Sequence, residues 1–127
     1  MRSTLRVLAV VLAVVLVFGE TLRSWGAGRP WYHITDDYLA GLLLVVAATR
    51  AARSEGPALL CGAFGFATGM LYGSFFGHVA ALSRNEGDPG NIPQSCLTVV
   101  IGVLFASAVV GFGLSIREAV RRTLTPP

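Results

Sequence analysis

From Pro57 to Leu82 the chain runs about 26 residues without an Asp, Glu, Lys or Arg, and inside that run every fourth residue is glycine: Gly65, Gly69, Gly73 and Gly77. Residues four apart share one face of a helix. In water a glycine inside a helix costs roughly 1 kcal/mol relative to alanine. In a bilayer a bare face lets a second backbone come close, and close packing drives helix association there. The segment is therefore expected to be a membrane helix built to be packed against.

Composition agrees. Charged residues make up 13% of the 127 residues, against about 25% in soluble domains, which places the chain in the membrane class. The ten basic residues are all arginine and the net charge is +3. They are too dispersed among apolar runs to form a nucleic-acid surface.

Four apolar segments are expected to be helices: about 5–23, 37–52, 57–82 and 93–120, in a single transmembrane domain over 1–127. A span needs about 20 residues, with a range of roughly 17–25. The third and fourth segments meet this easily; the first and second need their charged flanks to reach the interface. Arg2 and Arg6 ahead of Val7–Gly19 also resemble a signal peptide. The run ends in Gly19-Glu20-Thr21-Leu22-Arg23 without a small-x-small cleavage site, so a retained helix is expected. Asn91-Ile92-Pro93-Gln94 has the form of a capping box, with Asn91 as N-cap. Thr35-Asp36-Asp37 opens the second helix with acids at the positive end of its dipole.

Orientation follows from the arginines. With the N-terminus inside, Arg2, Arg6, Arg50, Arg53, Arg117, Arg121 and Arg122 fall inside, and Arg23, Arg29 and Arg84 outside, which favours N-in, C-in. The expected fold is an all-α integral membrane bundle of four transmembrane helices, with helix three central. This orientation puts Cys61 and Cys96 near opposite faces of a ~30 Å core, out of reach of a shared disulfide. The expected setting is the bacterial inner membrane.

Two sets of residues stand out as candidates. The packing set is Gly65, Gly69, Gly73 and Gly77 with the small residues Ser107, Gly111 and Ser115 of helix four; Ala9-x3-Ala13 and Ala48-x3-Ala52 offer further small faces. The second set is polar and gathers at the outer surface: Glu20, His33, Asp36, Asp37 and His78. Histidine and carboxylate can relay protons or bind metal, but the spacing of His33 to Asp36 and Asp37 fits no metal motif, so helix capping and interfacial anchoring are the plainer reading. His78 is expected to lie more than 90° around the helix from the glycine row. Glu20 and Arg23, three apart, are expected to pair.

No phosphate-cradling loop, zinc-protease helix or serine-nucleophile elbow is present, and no cofactor or metal is implied. The expected role is non-enzymatic: a structural or accessory subunit acting through helix packing, in a homo-oligomer or a larger membrane complex. The bilayer itself is the expected partner, with anionic lipids at the cytoplasmic arginines. The alternative is a small proton-coupled transporter or channel using the outer polar cluster.

Overall fold

A computed structural model describes residues 2–28, 30–31, 34–88 and 90–124, with the side chain of residue 2 excepted. Four α-helices follow one another: α1 (Arg2–Ser24), α2 (Thr35–Arg50), α3 (Gly56–Ser83) and α4 (Gln94–Leu124). Three of them, α1, α3 and α4, are long and apolar enough to cross a membrane. With 16 residues, α2 extends about 24 Å at 1.5 Å per residue, short of a ~30 Å hydrocarbon core.

The helices alternate in direction and form a ring. Each packs on its neighbour in sequence, α4 closes back onto α1, and α1 barely touches α3. The expectation of a central helix three therefore gives way to one in which α3 holds a corner, with α4 as its main partner. The core is a stack of rows at helical spacing: Leu5, Leu12 and Leu16 from α1, Leu44 from α2, Leu60, Phe64 and Leu71 from α3, and Leu97, Ile101 and Ala108 from α4. Outward-facing valines and leucines on every helix stay exposed, as befits a surface turned to lipid rather than water.

Small residues set the close approaches. Ala9 and Ala13 of α1 and Ala40, Ala47 and Ala48 of α2 are buried. A methyl group on Gly41 would come within 2.6 Å of Val17. Between α3 and α4 the decisive glycine is Gly111, whose missing side chain is replaced by the ring of Phe64. Ser115, one turn on, is fully buried and returns its hydroxyl to the carbonyl of Phe112 at 2.8 Å.

Helix ends differ from expectation in detail. Asn91 does not cap α4, which starts at Gln94; its side-chain amide donates instead to the carbonyls of Leu22 (3.3 Å) and Trp25 (2.7 Å) at the end of α1. Gln94 turns to His78 rather than back to Asn91. The end of α3 is a Schellman turn: Asn85 adopts a left-handed φ of 56°, its N–H donates to the carbonyl of Leu82, and that of Glu86 to the carbonyl of Ala81. The turn throws the chain across the bundle and carries Asp88 to α1.

Candidate functional site

The end of the ring where α1 and α3 finish and α2 and α4 begin holds a buried polar network. Its origin is periodic. Leu12, Leu16 and Glu20 are spaced by four, so Glu20 continues the core row of α1 and is only 4% exposed. Both of its oxygens accept hydrogen bonds. Ser24 Oγ donates to Oε1 at 2.6 Å, and Arg23 Nη1 to Oε2 at 3.3 Å. Arg23 also grips Asp88 with two nitrogens: Nε donates to Oδ2 at 3.0 Å, and Nη2 to Oδ1. The side chains of Arg23 and Asp88 are 12% and 1% exposed. Asp88 Oδ2 further accepts the N–H of Gly90 at 2.8 Å. Glycine is required at 90, since a Cβ would stand 2.7 Å from Arg23 Cγ and 2.8 Å from its carbonyl oxygen.

From α2, Asp37 lines a narrow cavity together with Glu20. Asp36 stays exposed, its Oδ1 accepting the N–H of Asp37 at 3.1 Å. Beside them Thr21 Oγ1 donates to the carbonyl of Val17 and lies 2.6 Å from Tyr38 Oη. The threonine proton is thus spent on its own helix, so Tyr38 is the donor in the interhelical bond. On the other side of the network, Gln94 Nε2 meets both His78 Nδ1 (2.9 Å) and the His78 carbonyl (3.0 Å). An amide nitrogen only donates, so Nδ1 accepts and the ring proton of neutral His78 resides on Nε2.

Two cavities adjoin this network. A narrow one of about 80 Å³ is lined by Glu20, Arg23, Asp37 and Ser74 with aliphatic walls that include Leu71 and Leu104. A wide one of about 550 Å³ opens at the polar end against Arg23, Gly73, Gly77, His78, Asp88 and Gln94. Arg23 and Ser74 line both.

Of the polar residues singled out in the sequence, Glu20 and Asp37 meet in one cavity, His78 borders the other, Asp36 faces away, and His33 lies outside the described residues. His78 lines the wide cavity together with Gly73 and Gly77. Of the packing residues, Gly65 lies 3.2 Å, at its Cβ position, from the ring of Phe112, and Gly111 and Ser115 are buried against α3. Ser107 is half-buried and bonds to its own helix at the Val103 carbonyl. Gly69, Gly73 and Gly77 meet no atom within 4 Å of where a side chain would begin. Among the described residues, no group of three His, Cys, Asp or Glu is arranged to hold a metal ion.

Sequence reasoning missed Asp88 and Glu118. Asp88 sits among turn formers, and the useful signal was Asp-Pro-Gly, where the carboxylate can fold onto the glycine N–H. Glu118 is 8% exposed at the opposite end of the ring, 3.7 Å from Arg122 Nε; Arg122 Nη1 donates to the carbonyl of Arg53 at 3.2 Å and ties α4 to the α2–α3 turn. The row Gly111, Ser115, Glu118 was the legible clue to that burial.

No family model matches the chain, and neither a curated protein nor a solved structure is significantly similar to it.

Proposed function

We propose that this chain is a multi-pass protein of the bacterial inner membrane, crossing four times with both termini in the cytoplasm, and that it serves as a structural or accessory subunit by packing against another membrane helix. The supporting observation is the open face of α3. Gly62 and Gly69 are exposed and meet nothing within 4 Å, opposite the buried row of Leu60, Phe64, Ala67 and Leu71. Bare backbone turned to lipid forfeits dispersion contacts that a second helix would supply. Shallow α2 crosses with its ends reaching the interfaces through Asp36, Asp37 and Arg50. The arginine asymmetry, seven against three, supports the orientation. The test is co-purification from the native membrane in mild detergent. Retention of a second copy or of a larger assembly, lost on Gly69→Leu, supports the reading; a monodisperse monomer with and without the substitution overturns it.

A second reading, a small proton-coupled transporter or channel, is favoured by one observation: Glu20, Asp37 and His78 border two cavities that share Arg23 and Ser74. Flux into proteoliposomes that is lost on Glu20→Gln and His78→Ala supports it.

A further inference from the structure

Between the start of α1 and the end of α2 runs a groove of about 390 Å³, within the ~300–1,000 Å³ of small-molecule sites. On α1 it is lined by Ser3, Arg6, Val7 and Val10, at the spacing of one helix face, and by Val11. Ala48 and Thr49 supply the α2 side. The polar members sit toward the helix ends, and the valines continue the groove into the apolar body of α1. From Ser3 to Val11 the helix rises about 12 Å at 1.5 Å per residue, comparable to the ~15 Å of one leaflet of a ~30 Å core. The three valines are exposed. An acyl chain lying in the groove touches two helices at once and gains dispersion contacts that a single convex helix does not offer.

The polar end carries an unspent charge. Arg6 is exposed, and among the described residues it forms no hydrogen bond and no ion pair. The acids at this end of the ring are Glu55 and Glu118, and neither lines the groove. Glu55 accepts from Ser54, and Glu118 lies 3.7 Å from Arg122. Thr49 spends its hydroxyl proton on the carbonyl of Val46 at 2.9 Å. The donors left to the groove are therefore the Arg6 guanidinium and the Ser3 hydroxyl, three residues apart on one face. A guanidinium fork matches two oxygens of a phosphate.

We propose that this groove binds one anionic phospholipid, its phosphate held by Arg6 and Ser3 and one acyl chain laid along Val7, Val10 and Val11. A collar of arginines attracts anionic headgroups diffusely; the groove fixes one lipid at one place. The inference rests on the membrane reading and not on subunit packing, which concerns the open face of α3. Oligomer size in Gly69→Leu reports the packing, and lipid binding reports the groove, so either can fail alone.

The experiment is native mass spectrometry of the full chain, titrated in detergent with phosphatidylglycerol or with phosphatidylcholine of the same acyl chains. The wild type should hold one phosphatidylglycerol in preference to phosphatidylcholine. Arg6→Gln, which removes no internal bond, should weaken that binding about tenfold. Arg117→Gln, an equal loss of charge at an exposed site outside the groove, should leave it unchanged. Equal binding of the two lipids by the wild type, or equal loss in the two variants, overturns the proposal. A second measurement needs no variant. Phosphatidylglycerol with a diazirine in its acyl chain, in nanodiscs, should label Val7, Val10 and Val11 in preference to Val99, Val103 and Val110, the exposed valines of α4. Even labelling of the two sets overturns the site, as does protection of the α1 valines by a second copy of the chain.

Discussion

Phe64 occupies the place of the side chain that Gly111 lacks: its ring is fully buried and stands where a Cβ on that glycine would go. The largest helix contact in the ring is thereby keyed at one point, a large residue on α3 into a gap on α4. Gly111→Val must push the ring out of a packed row. Such overpacking costs about 1–3 kcal/mol, so thermal unfolding in detergent should show a clear loss of stability. Gly65→Ala, facing the edge of Phe112 at 3.2 Å, should show a much smaller change.

Gly69→Leu should behave in the opposite way. Its side chain enters open space and replaces a poor helix former, so the fold of the single chain should persist or gain slightly. What should change is association, read as a shift in size by chromatography with light scattering.

Arg23 and Asp88 lie 65 residues apart in sequence and hold the 84–93 loop to the end of α1. Removing one partner of a buried ion pair leaves the other uncompensated, at about 3–5 kcal/mol. Arg23→Gln should therefore be strongly destabilising, and Asp88→Asn comparably so. The double substitution should cost less than the sum, which a double-mutant cycle measures directly.

An exposed pair in the same loop supplies the contrast. Arg84 donates to Glu86 at 2.7 and 3.0 Å, both side chains more than half exposed. The hydrogen bonds from Arg84 hold the Glu86 carboxyl below its usual value. A depressed carboxylate contributes above the unfolded-state value and loses that contribution as pH falls through the folded one. Solvent screening makes the contribution small. Glu86→Gln should leave the melting temperature at neutral pH unchanged and remove only a slight destabilisation on acidification.

The orientation can be checked with single cysteines in a Cys61→Ala, Cys96→Ala background. A membrane-impermeant thiol reagent should reach Gly87→Cys from outside intact cells and Leu124→Cys only after permeabilisation. Labelling of both from one side would refute the four-crossing arrangement.

The four helices were legible because their signals are local. Uncharged runs fixed their bodies to within a few residues. Rotation of one helix against another is not local, so the sequence could not say that Gly41, rather than Gly69, meets another helix in this chain. Asn91 shows the same limit: its type suits a cap, but the free carbonyls of Leu22 and Trp25 compete for it and win. Glu20 was seen as an interfacial charge because it sits near the end of its run. Its place four residues after the buried Leu16 was the overlooked signal that it continues the core row of α1.

The glycine row of α3 turns about 40° between successive members on a helix of 3.6 residues per turn. Gly65 accordingly looks at an aromatic ring, Gly69 outward, and Gly77 into a cavity with a histidine on its rim. One substitution repeated at these stations, alanine or leucine each time, would act as a ruler for three different media in a single helix. The motif that reads as one device is then three, and a phenotype measured at one station does not transfer to the next.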